Sequence, residues 1–169
     1  MAQDETTGTV PNGNGTAAPA GSPQLFINAQ YIKDLSFENP RAPQSLIQQK
    51  AQPEVSLDVD VKARNLAPEL FEVSLTISAQ AKAEGETVFI VQLTYCGVVT
   101  IKDASQDTIA GMILVETPRL LFPFARNVIA TATREGGFPP LLINPIDFSE
   151  LLRREHAKAQ AAAEQTATA

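Results

Sequence analysis

The chain has 169 residues, of which 44% are hydrophobic and 19% charged, as expected for one globular domain. Its 13 Lys and Arg and 19 Asp and Glu give a formal net charge of −6, which argues against a nucleic-acid partner because phosphates would stay unneutralised. The single cysteine, Cys96, excludes an intramolecular disulfide. Residues 1–22 lack the basic and apolar regions of a signal peptide, and no run of about 18 apolar residues occurs. We therefore expect a cytoplasmic protein that does not insert into a membrane.

Composition divides the chain into three regions. Residues 1–23 are rich in Thr, Gly, Asn, Ala and Pro, so they cannot bury enough apolar surface to offset the entropy of ordering, and we expect a disordered N-terminal tail. Residues 158–169 are mostly Ala, Gln and Thr and lack an apolar stripe, so we expect a flexible C-terminal tail. Residues 24–157 form the single predicted domain.

Alternation of apolar and polar residues predicts four β-strands, over 25–38, 55–64, 71–82 and 87–101. The first alternates least strictly. One of its sides is expected to carry Ile27, Ala29, Tyr31, Leu35 and Phe37, and the other Phe26, Asn28, Gln30, Ile32, Asp34, Ser36 and Glu38. Short turns at 65–69 and 84–86 predict antiparallel neighbours. The connection 39–54, with three prolines, is too long for a hairpin and is expected to cross over the sheet.

Helical signals follow the strands. Asp103 or Ser105 is expected to cap a helix through Ile113, and Pro118 to kink or end it. A second helix is predicted from Leu120 to the glycines at 136–137. The proline-rich segment 138–147 is predicted to be extended, and Asp147-Phe-Ser-Glu150 resembles a capping box that opens a last helix. Strands followed by helices indicate the α+β class.

Residue patterns for catalysis are nearly absent. The only histidine, His156, lies in a polar segment and is far from Cys96 in sequence, so the usual zinc ligand set is not available. No phosphate-binding loop, dinucleotide glycine pattern or nucleophile elbow occurs. We therefore expect a protein that is not an enzyme and that needs no cofactor or metal.

Three stretches carry a family resemblance. The first is Tyr31-Ile-Lys-Asp-Leu-Ser-Phe-Glu-Asn-Pro40, followed by Ala42-Pro43 and Gln52-Pro-Glu-Val-Ser-Leu-Asp58; the second is Phe71-Glu-Val-Ser-Leu, leading into Glu86-Thr-Val-Phe89. The third runs from Leu121-Phe-Pro-Phe-Ala-Arg126 through Gly137-Phe-Pro-Pro-Leu141 to Asn144-Pro-Ile-Asp-Phe148. In order and spacing, over roughly residues 25–152, the chain resembles the SecB protein-export chaperones.

The resemblance implies a fold and a function. The expected fold is a four-stranded antiparallel sheet per subunit followed by helices, packed as a dimer of dimers into a homotetramer. The expected function is that of an ATP-independent holdase, which binds unfolded precursor proteins, keeps them translocation-competent and delivers them to the SecA motor ATPase. The zinc used in this handover belongs to the partner's tail in the family.

The resemblance also implies a SecA-docking face. Its matching residues are Asp34, Glu38, Ile90 and Gln92. Each lies opposite the strongest apolar set of its strand, so all four can share one outer face. Gln92 departs from the carboxylate that the family often has there, which predicts a modestly weaker attraction to a basic tail. The alternative is that Asp34 and Glu38 merely solvate the wet side of the sheet.

A client groove is the second implied site. It maps to Leu46, Ile47, Val55, Leu57, Val59, Phe138, Phe148, Leu151 and Leu152. A holdase needs an exposed apolar strip that accepts many sequences, but the same pattern also fits ordinary core. Ala51 replaces an aromatic residue of the family, which predicts a shallower end of the groove. Leu121, Phe122 and Phe124 are expected in the core or at a subunit interface.

Two further functions stay open at this point. One is a chaperone on the same fold that serves a dedicated client such as an antitoxin, and the other is a small-ligand-binding module whose pocket is the apolar groove. The first would be indicated by loss of the Asp34 and Glu38 face, which is retained, and the second by a monomer or dimer that binds a small molecule.

Overall fold

The computed structural model describes residues 21–47 and 52–167. The predicted N-terminal tail lies outside the described residues except for its last three positions, as does the Ala51 substitution. The final helix continues to Ala167, through most of the segment that was expected to be a flexible tail.

Four long strands form one antiparallel sheet, as the alternation predicts. They are β1 (Gln24–Glu38), β2 (Glu54–Ala67), β3 (Leu70–Ala83) and β4 (Glu86–Lys102). The turn between β3 and β4 has positive φ at both Glu84 (53°) and Gly85 (81°), which matches the right-handed twist of a two-residue hairpin. The sheet has the order β1-β4-β3-β2. The chain therefore crosses from one edge of the sheet to the other between β1 and β2, as the length and prolines of 39–54 indicate.

The two sides of the sheet differ in composition. We call the side covered by helices the inner face. On the two central strands it carries buried apolar residues, among them Val73, Leu75, Ile77, Val91, Leu93 and Val99. The opposite side, the outer face, carries Ser74, Thr76, Ser78, Gln92 and Thr94, which pair across β3 and β4. One apolar face and one polar face are the arrangement expected of a sheet with helices on one side only.

Two register shifts in β1 correct the predicted faces of that strand. The shifts lie between Ile27 and Ala29 and between Ile32 and Asp34. Each adds one residue to β1 relative to β4, so the side chains between the shifts change faces. Tyr31 and Ala29 therefore lie on the outer face, and Ile32 and Gln30 on the inner face, opposite to the simple alternation. Asp34 and the residues after it keep their predicted sides.

The helical region is continuous across Pro118, where the sequence suggested a kink or an end. Helix α1 (Gln44–Ile47) precedes β2, and helix α2 (Gln106–Gly111) follows β4, with the Ser105 hydroxyl accepting from the Thr108 amide. A π-helical turn (Met112–Glu116) then leads into α3 (Thr117–Glu135). Pro118 lies in the first turn of α3, where a missing N–H costs little. The Thr117 hydroxyl donates to the Met112 carbonyl oxygen at 2.8 Å.

Helix α3 covers the sheet. Its buried side chains include Leu121, Ala125 and Ile129, and they pack against the core residues of β3 and β4. The helical run Gln106–Glu135 is long and apolar enough to cross a membrane by length and composition, with a mean hydropathy of 1.3. Polar residues interrupt this run, so it contains no 18 consecutive apolar residues, and a core helix that packs one apolar side on a sheet reaches the same mean hydropathy.

An aromatic cluster closes one end of the core. The Phe37 ring stacks on Phe89 with centroids 5.8 Å apart, and Phe138 contacts Phe89 at 5.0 Å and Phe37 at 6.4 Å. Gly136 ends α3 directly over this cluster, where an added Cβ would lie 2.2 Å from the tip of the Phe37 ring. Since two other rings hold Phe37, it has little freedom to move aside.

We predict that Gly136→Ala lowers the free energy of unfolding by about 1–3 kcal/mol, because the methyl group overpacks the aromatic cluster. Gly111→Ala is the control: it lies in the same helical run, with no atom within 4 Å of the added Cβ, and should be neutral or raise stability by up to about 1 kcal/mol. Urea unfolding of both variants measures the two effects. Equal stability of the two variants would contradict the close contact.

Candidate functional site

The outer face gathers the four residues predicted for partner docking at one end of the sheet. Glu38 lies opposite Ile90, and Gln92 lies opposite Ser36, two pairs further along β1 and β4 and on the same face. Asp34 follows opposite Thr94. The pairing of β1 with β4 therefore brings the four residues together. Ile90 and Gln92 on β4 lie between strand β3 on one side and the carboxylates of β1 on the other.

Two further carboxylates extend this acidic end, and the sequence interpretation did not include them. Asp60 lies opposite Thr76, which in turn lies opposite Thr94, and Asp58 lies opposite Ser78. Both positions face outward by the same alternation that placed Val59 inward, so the signal was present in the sequence. We call Asp34, Glu38, Asp58 and Asp60 the acidic end of the outer face.

A buried carboxylate binds three strands together beside the acidic end. Glu72 on β3 is 4% exposed and accepts a hydrogen bond from the Tyr31 hydroxyl of β1. Lys33 Nζ lies 3.2 Å from Glu72 Oε1, and Arg64 Nη2 of β2 lies 2.8 Å from Oε2. A buried charge is stable only when it is paired and hydrogen-bonded in this way. Lys62 Nζ lies 3.0 Å from Asp60 Oδ2. We call Lys33, Lys62 and Arg64 the basic cluster.

The Tyr31–Glu72 contact shifts both pKa values. The hydrogen bond that Tyr31 donates lowers the pKa of Glu72, with Lys33 and Arg64 adding to the effect against the cost of burial. The same hydrogen bond, followed by desolvation, raises the pKa of Tyr31 to about 12. Both shifts favour a neutral phenol beside an ionised carboxylate.

A cleft between β2, the π-helical turn and the last helix, α4 (Phe148–Ala167), collects four of the predicted groove residues. Its volume is about 170 Å³. It is lined by Val59, Phe148, Leu151 and Leu152, and also by Asp60, Val61, Leu114 and Glu155. The last four were not predicted, because Leu114 and Val61 carry no motif and read as core positions in sequence.

The other predicted groove residues lie outside this cleft. Val55 and Leu57 are on the inner side of β2, opposite Ala81 and Ala79, and are 44% and 43% exposed. Leu46 lies against Gly137 at the end of α3, and Ile47 is largely exposed. Phe138 is buried in the aromatic cluster.

Asp147 fixes where α4 begins. Its Oδ1 atom accepts from the amides of Ser149 at 2.9 Å and Glu150 at 3.0 Å, and these bonds, the one to Glu150 first, lower the pKa of Asp147. Glu150 pairs with Arg153 at 2.7 Å and Arg154 at 3.0 Å. The predicted cap is present, and it places Phe148 on Phe122, with ring centroids 6.1 Å apart.

Apolar side chains also remain exposed on the inner side of the molecule. Leu120 and Phe124 of α3 are 46% and 51% exposed, and Ile32 and Leu35 lie uncovered on the inner face of β1. Phe122 and Leu121 are buried in the core, as expected. Several large apolar residues exposed on one side indicate a surface for association.

Sequence comparison gives one family. The family model described as preprotein translocase subunit SecB matches residues 18–159. The chain is 47% identical over 161 residues to a protein-export protein SecB of Bradyrhizobium diazoefficiens, covering 94% of this chain and 99% of that protein. It is 50% identical to one of Afipia carboxidovorans, covering 85% and 89% of the two chains.

A solved structure shares the fold. The SecB-like chaperone of Mycobacterium tuberculosis, determined in complex with a peptide from an antitoxin, superposes with a TM-score of 0.57 at 15% identity. The match covers 72% of this chain and 90% of that one. The four-stranded antiparallel sheet followed by helices is therefore the fold of that chaperone as well.

We predict that Glu72→Gln lowers the pKa of Tyr31 from about 12 towards its ordinary value of 10.0, because the amide no longer favours the neutral phenol. This pKa is measured from the phenolate absorbance as a function of pH, in a Tyr95→Phe background that leaves Tyr31 as the only tyrosine. An unchanged pKa would contradict the contact.

The same substitution should lower stability by about 1.5–3 kcal/mol near neutral pH, the usual cost of a hydrogen bond to a charged group. The folded pKa of Glu72 lies below its ordinary 4.5, so the wild-type advantage is present above that pH and declines in acid as the pH falls through the folded value. The raised pKa of Tyr31 makes the advantage decline again as the pH rises from 10.0 towards 12. Urea unfolding across this range checks both limits.

Proposed function

The chain belongs to the SecB family of protein-export chaperones, and we propose that it acts in the cytoplasm as an ATP-independent holdase. It binds unfolded precursor proteins, keeps them translocation-competent and delivers them to the SecA motor of the Sec pathway. The family is one of chaperones, and we extend this to the chain itself, which we propose is not an enzyme and uses no cofactor. The observation that carries the proposal is an exposed apolar strip that leads along an edge strand into a cleft.

The proposed client groove begins on β2. Val55, Leu57 and Val59 follow one another on the inner side of this edge strand, and the first two are nearly half exposed. Val59 then enters the cleft against Leu151 and Leu152 of α4. An extended client segment can lie along such a strip with its apolar side chains on these residues, which requires no particular sequence.

The buried members of the predicted groove have a supporting role in this proposal. Phe148 lines the cleft, and Phe138 follows Gly137, which lies against Leu46. Since both rings are held by aromatic neighbours, we propose that they fix the shape of the groove. Clients contact the exposed residues above them, including Ile47.

The proposed SecA-docking surface is the acidic end of the outer face. Asp34 and Glu38 present negative charge beside the flat, uncharged surface of Ile90 and Gln92, and Asp58 and Asp60 add to it from the far edge. Several exposed carboxylates on one face attract a basic polypeptide at long range, and each close pair contributes about 0.2–1 kcal/mol. Among the described residues, no helix covers this side.

The proposed assembly is a homotetramer built as a dimer of dimers. The exposed apolar side chains that support it are Leu120 and Phe124 on α3 and Ile32 and Leu35 on the inner face of β1. Burial of such side chains between copies would be worth about 1.5–3 kcal/mol each. Strand β1 is also an edge of the sheet, so its uncovered backbone offers a second site for pairing.

The alternatives are less well supported. A chaperone for one dedicated client is suggested by the fold shared with the antitoxin-peptide complex, but that likeness is at 15% identity. The protein-export relatives are near 47%. A small-ligand module would need a pocket of about 300–1,000 Å³, and the cleft has about 170 Å³.

We predict that Leu57→Asp weakens the affinity for an unfolded precursor by about tenfold or more, because a carboxylate in the strip is desolvated by the client. Fluorescence anisotropy with a labelled, reduced precursor measures it. Leu66→Asp is the matched control, because Leu66 lies on the same strand and is equally exposed at 43%, but lies beyond the strip. Equal loss in both variants would remove the strip as the client site.

We predict that Asp34→Arg weakens SecA binding about fivefold or more at low salt, while the circular dichroism spectrum and precursor binding stay unchanged, because the outer face loses an exposed charge and gains an opposite one. Glu135→Arg makes the same change in net charge at the exposed end of α3 and should leave SecA binding intact. Normal docking by Asp34→Arg in surface plasmon resonance would exclude the acidic end as the docking surface.

A further inference from the structure

The charges on the outer face are sorted into two neighbouring groups. Along β2, Asp58 and Asp60 are followed by Lys62 and Arg64, all facing outward. On β1, Lys33 precedes Asp34 and reaches across to Glu72. The acidic end and the basic cluster therefore adjoin each other, on a chain whose formal net charge is −6.

The basic cluster surrounds a cavity of about 320 Å³ that opens on the outer face. Besides Lys33, Lys62 and Arg64, its lining includes Glu72 and the hydroxyl residues Ser74, Thr76 and Thr94. In the described part of the chain, the ion pairs of these three cations are made with two carboxylates, Glu72 and Asp60. The side chains of Lys62 and Arg64 are 81% and 67% exposed, so a ligand in the cavity can reach both, while Arg64 also stays paired with the buried Glu72.

We infer that the outer face recognises the order of charges in its polypeptide partner: basic residues lie on the acidic end, and an acidic residue enters the cavity of the basic cluster. The inference rests on the proposed role of the acidic end as a docking surface, and it adds a second contact of opposite sign. A uniformly acidic face would bind a basic tail in either direction. The added contact gives the docked segment one direction, because reversal would bring like charges together.

The register gives the spacing between the two contacts. Asp34 and Asp60 belong to one line of paired residues across the sheet, and this line passes through Thr76 of β3. Arg64 pairs with Glu72 of β3, which is four residues from Thr76. Four residues of a β-strand span about 13 Å. An extended partner segment would therefore place its basic and acidic residues about four positions apart.

The test uses two synthetic peptides that differ only in charge. One carries a lysine pair and, about four residues away, a glutamate pair; the other has glutamines in place of the glutamates. Because the protein is acidic, general electrostatic attraction favours the more basic peptide. The inference predicts the opposite, with the glutamate peptide bound about threefold to tenfold more tightly at low ionic strength, as measured by fluorescence anisotropy.

Two protein variants then locate the effect. Lys62→Gln/Arg64→Gln should abolish the preference for the glutamate peptide, while Glu72 keeps Tyr31 and Lys33 as partners. Lys102→Gln/Arg134→Gln removes two exposed cations elsewhere and should keep the preference. A preference that survives loss of Lys62 and Arg64, or a tighter glutamine peptide in the wild type, overturns the inference.

The outcomes also separate this inference from the docking proposal. If both peptides bind equally and both are lost in Asp34→Arg, the acidic end is a docking surface and the charge order is not read. If neither binds, both proposals fail.

Discussion

The placement of functional groups depends on two extra residues in β1. Each register shift moves the following side chains to the other face, so that Tyr31 reaches the outer face while Leu35 and Phe37 point towards the helices. Tyr31 then donates to Glu72, which also contacts Lys33 and Arg64. One buried carboxylate thus fastens β1 and β2 to the central strands. Without the two shifts, Asp34 would still lie on the outer face, but Tyr31 would lie on the inner face and could not donate to Glu72.

The same sheet provides two chemically different surfaces. Its inner face buries the aliphatic residues of β3 and β4 under α3, and at the β2 edge that apolar layer extends past the helices, where Val55 and Leu57 stay exposed. Its outer face carries charges in a defined order over a floor of hydroxyl side chains. A loose apolar strip suits many unfolded clients, whereas ordered charges suit one partner. The surfaces proposed for these two tasks therefore lie on opposite sides of the four strands.

Much of the fold could be predicted from sequence because period-two alternation is strong in β2, β3 and β4, and because Asp147 and Ser105 carry recognisable caps. The bulges in β1 could not, since an inserted residue leaves no compositional mark and becomes apparent only through pairing with β4. The sequence predicts that Pro118 interrupts the helix. Pro118 instead lies in the first turn of α3, directly after the π-helical turn, where the backbone N–H that proline lacks is not required. Asp58 and Asp60 face outward by the alternation of β2, but the residues that match the family's docking face lie on β1 and β4 alone. Leu114 joins the cleft through tertiary packing alone.

The most direct test of the account is light scattering coupled to size exclusion, on the protein alone and with a reduced, unfolded secretory precursor. We expect a particle of about four times the 18.1 kDa chain mass, which co-elutes with the unfolded precursor and not with its folded form. A monomer that ignores both forms would contradict the account. The exposed residues of α3 and β2 would then require another explanation.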